Sequence, residues 1–94
     1  MIRERIRNNL RISHHELDDE IESTIKVARA ELIRSGVSAS AANGDDPLIE
    51  EAIVAYAMFK MAPDENDRYQ ESFLYQQDCL RKSSGYKRVV GDDE

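Results

Sequence analysis

Between Leu17 and Ile33 the apolar residues recur at helical spacing, and nowhere in the chain do they alternate at the two-residue period of a strand. Leu17, Ile21, Ile25, Ala28 and Leu32 stand at steps of four, four, three and four, with Ile33 widening the stripe. Such a pattern is satisfied by an amphipathic helix that buries one face, so this segment commits the chain to helix packing. Its ends are punctuated. Ser13 and Glu16 have capping-box spacing, and Asp18, Asp19 and Glu20 put negative charge where the helix dipole favours it. Arg29 and Arg34 lie toward the C-terminal end, Gly36 supplies a left-handed stop, and Val37 can fold back on Leu32.

The remaining segments follow the same grammar. Ile2, Ile6 and Leu10 give a short first helix over residues 2–11. Asp46-Pro47 opens a third, with aspartate as N-cap and proline at the first helical position. Its stripe is Ile49, Ala52, Ile53, Tyr56 and Phe59 or Lys60, and Pro63 closes it. Asp64 is placed to cap a fourth helix along Tyr69, Phe73, Gln76 or Gln77, and Leu80, which Gly85 ends with Tyr86 packing back on Leu80. Residues 36–46 are longer than the usual connection of about 2–8 residues and rich in small side chains, predicting a flexible loop that orders against a partner. The expected fold is all-α: a small bundle of four helices with a flexible inter-helix loop and an extended tail. It forms a single domain over 1–86, and the tail over 87–94 is flexible until docked.

Charge is distributed unevenly. Residues 1–11 hold four arginines against one glutamate, a balance of +3 that leaves −9 for the rest of a chain whose total is −6. An acidic body repels phosphate backbones and argues against general affinity for nucleic acid. The lone Cys79 excludes an intramolecular disulfide and fits a reducing cytoplasm. No apolar run approaches the roughly 20 residues that span a bilayer, and the arginine-interrupted start is unlike a signal peptide. A soluble intracellular protein without membrane contact is expected.

No catalytic constellation emerges. His14 and His15 are adjacent and point about 100° apart on a helix, and pairing either with Asp18 or Asp19 still leaves two ligands where zinc needs three or four. Asp64-Glu65-Asn66-Asp67 begins like a calcium loop, but Arg68 falls at an oxygen-ligand position, Tyr69 at the required glycine and Tyr75 at the bidentate glutamate. Cys79, near a helix C-terminus, lacks the electropositive setting of a thiolate nucleophile. The four glycines are scattered and cradle no phosphate. The expectation is no enzyme, no cofactor and no metal.

Taken in order, the landmarks Leu10-Arg11-Ile12, Leu17-Asp18-Asp19-Glu20-Ile21, Ile25, Ala28-Arg29, Leu32 and Gly36-Val37 form a recognisable series. It continues through Asp46-Pro47-Leu48-Ile49, Ala52-Ile53, Tyr56, Tyr69, Ser72-Phe73, Leu80 and Tyr86. The series resembles the small head–tail connector, or DNA-packaging adaptor, proteins of tailed bacteriophages, over about residues 6–86. The resemblance implies a structural subunit without cofactor that forms a homo-oligomeric ring beneath the portal protein. There it extends the DNA channel, letting double-stranded DNA pass without sequence-specific contacts, and gives the tail or a stopper protein its platform. Its location would be the virion head–tail junction, after assembly in the cytoplasm of the bacterial host. The resemblance also implies that Tyr86, Lys87, Arg88, Val89 and Val90 dock on the portal, an extended segment suited to joining a sheet edge.

Arg3, Arg7 and Arg11 are candidates for a partner surface, sharing one face of the first helix while Arg5 sits elsewhere. A +3 end and a −9 body offer complementary faces for a heterologous ring interface. The alternative is a small helical nucleic-acid-binding regulator whose arginine-rich first helix contacts phosphates. The arginine-rich start and the closing Gly-Asp-Asp-Glu depart from the connector pattern.

Overall fold

The computed structural model describes residues 2–11, 16–62 and 66–87. Those residues are mostly helical and contain no strand, so the all-α class holds. There are five helical segments rather than four among them: α1 (Ile2–Asn9), α2 (Asp18–Ser35), α3 (Ala39–Ala42), α4 (Pro47–Met61) and α5 (Asn66–Lys82).

The extra segment is the connection predicted to be a flexible loop. Ser38 caps α3, its hydroxyl accepting from the Ala41 amide at 3.2 Å. Ala42 is fully buried beneath it. Arg29 of α2 donates through Nη1 to the Ala42 and Gly44 carbonyls at 2.7 and 3.1 Å. The small residues that suggested freedom instead allow a close turn that one arginine ties down from inside the chain.

Helix α4 is the centre. Every residue from Ala52 to Met58 is buried, so its apolar surface runs all round rather than along the expected stripe. It packs most extensively on α5, then on α2 and α1. Ala52, Ala55 and Ala57 let neighbours approach closely, while Tyr56 meets Phe73 of α5 edge to face at 5.0 Å between ring centres. Ile6, Ile21, Leu32, Ile49 and Ile53 are fully buried around it. Ile2, Leu10 and Tyr69 complete the core as partly buried residues.

The punctuation is realised unevenly. Asp46 caps α4 by accepting from the Leu48 amide at 2.8 Å, with Pro47 at the start. Gly36 adopts φ +121°; its amide and that of Val37 reach the Ile33 and Leu32 carbonyls at 3.1 and 3.0 Å, the Schellman pattern. Ala62, extended after α4, has the backbone a residue before proline prefers, although Pro63 and Asp64 themselves lie outside the described residues. Three expectations are corrected. Helix α1 stops at Asn9, because Arg11 turns into the left-handed region at φ +60°. Leu17 occupies the N-cap place of α2 without a side-chain cap, while Ser13 and both histidines lie outside the described residues. Gly85 is not a left-handed stop: α5 ends at Lys82, and a turn bonds the Tyr86 and Lys87 amides to the Ser83 carbonyl at 3.0 and 2.8 Å.

Candidate interaction surface

The arginines of the first segment are where the sequence placed its first partner surface. The structure turns three of them toward carboxylates of the same chain. Arg3 pairs with Glu22 of α2 at 2.9 Å, and Arg7 with Asp18 of α2 at 3.6 Å in the most shielded of these pairs. Arg5, set aside in the sequence reading, reaches α4: it pairs with Glu50 at 3.4 Å and, closer still, with Glu51. Its pKa is raised chiefly by the hydrogen bond to Glu51, opposed by partial burial and aided by the charges of Glu51 and Glu50. Arg3 and Arg7 do share a face, as expected, and that face is packed against α2. Arg11 does not continue it, because the helix has already ended; it is exposed in the turn.

Each pairing has a local cause. Asp18 and Glu22 lie one turn apart near the start of α2, a placement the helix dipole favours, and Arg3 and Arg7 repeat that four-residue step on α1. Glu50 and Glu51 stand early in α4 for the same dipole reason. The matching four-residue steps of Arg3/Arg7 and Asp18/Glu22 were the sequence signal that could have identified these pairs.

The second predicted surface begins at the C-terminal turn. Tyr86 is half-buried against the core, and its carbonyl accepts from the Ser38 amide at 2.8 Å. A hydrogen bond to Asp46 raises the pKa of its hydroxyl, with desolvation and the Asp46 charge adding to the effect. Lys87 is exposed and pairs with Val37 in an isolated antiparallel bridge. The base of the tail is therefore held between α2 and the start of α4. Arg88, Val89 and Val90 lie outside the described residues.

A third feature went unmarked in the sequence. Helices α2, α4 and α5 leave a surface groove of about 420 Å³, floored by Tyr56, Phe59, Phe73 and Leu74 and edged by Arg34 and Lys60. Leu74 is half-exposed there. Glu31 lies on the same edge, bonded to Arg34 at 2.7 Å, and its carbonyl accepts from Gln77 at 3.3 Å. Lys60 sits over the Phe59 ring at 5.1 Å. The signal available was the failure of Leu74 to fall on the Tyr69–Phe73–Leu80 stripe. A hollow of about 600 Å³ between α1 and α2 is lined by charged groups of both signs, including Arg3, Glu4, Glu22 and Arg29.

Among the described residues no three His, Cys, Asp or Glu side chains gather as a metal site, and no helix is long and apolar enough to cross a membrane. Cys79 is exposed on α5. Comparison of the chain with family models, with curated proteins and with solved structures finds no match.

Proposed function

We propose that this chain is a structural connector subunit of a tailed bacteriophage. In this reading it assembles into a ring under the portal, extends the DNA channel and offers a platform to the tail or stopper protein. The series of landmarks from Leu10 to Tyr86 supports the assignment. The structural observation that favours it over the nucleic-acid regulator is the internal pairing of Arg3, Arg5 and Arg7. A regulator presents such cations to phosphates, and here each faces a carboxylate of α2 or α4 that would compete for it. The chain as a whole is acidic, with net charge −6, which suits a channel through which DNA slides without adhering.

The tail supports the same reading. Its base is fixed by the Val37–Lys87 bridge and by the bond from the Ser38 amide to the Tyr86 carbonyl, so the chain reaches Lys87 at a defined point. An apolar pair, Val89-Val90, set on a fixed base suits addition to the edge of a portal sheet.

The test is particle size against concentration by native mass spectrometry, at low and moderate salt, followed by titration with duplex DNA. The connector reading expects ring-sized species, alone or templated by a portal, and little DNA binding by the free subunit. A chain that stays monomeric with and without a portal, and binds duplex DNA at micromolar levels with a steep salt dependence, overturns it.

A further inference from the structure

We propose that the groove between α2, α4 and α5 is a docking site for the chain's own C-terminal segment, residues 88–94. The inference stands on geometry and charge and concerns the free subunit; under the connector reading a portal edge would compete with the groove for the same two valines.

Direction comes first. Tyr86 bonds Ser38 and Lys87 pairs with Val37, so the two strands of chain run antiparallel there. A chain continued in that direction from Lys87 would pass Gly36 toward Ser35 and Arg34, which edge the groove. Reach agrees with direction. Seven extended residues span roughly 23–25 Å, whereas the helical rise from Arg81 to Gln70 is only about 16 Å. An extended segment on that path would bring Val89 and Val90 level with Gln77 and Leu74, and its acidic end level with Lys60.

The chemistry of the two surfaces is complementary in the same order. The floor offers the partly exposed Phe59 and the half-exposed Leu74 to the two valines, with the buried Phe73 beneath them. The edges carry Arg34 and Lys60 against the lone Glu31, while the segment carries three acids against Arg88. Arg34 is already shared with Glu31, which leaves Lys60 as the principal cation for the acidic end. An apolar pair followed by acids thus meets an apolar floor followed by a lysine.

The test is NMR on the full-length protein at low salt. Expected are NOEs from the Val89 and Val90 methyls to the Phe59 and Phe73 rings, with tail amides shifted from random-coil positions. In a mixture of labelled and unlabelled protein those NOEs stay intramolecular. Leu74→Glu should abolish them, and Lys60→Glu should weaken them and move residues 92–94 back toward random coil. Circular dichroism checks that both variants keep the fold, which neither exposed position threatens. Random-coil shifts throughout 88–94 in the unsubstituted protein overturn the proposal. So do NOEs found only between molecules, which would make a second copy the occupant, or NOEs indifferent to both substitutions in folded protein.

Discussion

Truncating Ile6 tests whether α1 is truly bound to the body, and the function turns on that point. Ile6 is the one fully buried side chain of α1, a helix that packs against α4 and α2. Ile6→Ala removes three carbons, about 2.4 kcal/mol of transfer free energy at about 0.8 kcal/mol each. A residual cavity adds to this, so a loss of about 3 kcal/mol is expected, within the range of about 2–5 for such changes. A chain of this length has about 5–14 kcal/mol of stability in total. The melting temperature should fall by about 12–24 °C. Ile6→Val should cost about 0.5–1.5 kcal/mol.

The ion pairs cannot make up the difference. Arg3, Arg5 and Glu51 keep more than a third of their side chains in solvent, so each of these bridges contributes about 0–1 kcal/mol. Eight residues are also too few to stay helical alone, as an isolated helix needs about 12–15. Without Ile6, α1 should therefore loosen as a unit and release Arg3, Arg5 and Arg7 together. Urea denaturation measures the stability, amide exchange over residues 2–9 measures the loosening, and a low-salt DNA titration measures the released charge. Ile6→Ala should bind duplex DNA more tightly than the parent. A stability loss under about 1 kcal/mol, with fast amide exchange already present in the parent, would refute the reasoning. The arginines would then be free in the native protein, and the regulator would become the better reading.

Gly36→Ala should cost about 1–2 kcal/mol in urea denaturation; the strain lies in φ +121°, since an added Cβ meets Arg81 only at an ordinary 3.5 Å. Asp46→Ala should lose about 1 kcal/mol as the cap of α4 goes, whereas Asp46→Asn should keep most of that cap; thermal melts of the two variants check the difference. Asp78 is held below its ordinary pKa chiefly by the hydrogen bond to Lys82, with Arg81 adding to it. A lowered pKa means that its small contribution is present above the unfolded value of about 3.9 and lost as pH falls through the folded one. The stability gap between the parent and Asp78→Asn, measured by urea titration, should accordingly close below about pH 4.

Much of this fold was legible because the signals are local. The stripe from Leu17 to Leu32, the Gly36 stop and the Asp46-Pro47 start depend on neighbours within a turn, and each appears as predicted. What failed depended on distant partners. Between Gly36 and Asp46 the run of small residues suggested freedom; part of its order comes from the local Ser38 cap, and the rest from Arg29, thirteen and fifteen positions before its two acceptors. Gly85 had the residue type of a stop, but the chain had already turned at Ser83. Arg3 and Arg7 were correctly put on one face, yet which element that face meets is a tertiary fact. The groove was illegible for the same reason, since Phe59, Phe73 and Arg34 come from three separate helices.

The pairing of the arginines also changes how a ring would have to be built. A +3 end facing a −9 body gave a ready heterologous contact as long as the positive end was free. With Arg3, Arg5 and Arg7 bonded inside the subunit, of the first segment's cations only Arg11 stands exposed and without an ion pair among the described residues. Contacts between subunits would then draw on exposed apolar groups outside the groove, such as Val27, Leu48 and Tyr75. Screening weakens exposed charge pairs as the Debye length shrinks from about 10 Å at 0.1 M to about 3 Å at 1 M salt, and sulfate strengthens apolar burial. Under the connector reading, ring formation followed by sedimentation should therefore be maintained or enhanced by added sulfate. Dissociation of rings by moderate salt would mean that charge holds the subunits together, and that the arginines of α1 exchange their internal partners for those of a neighbour.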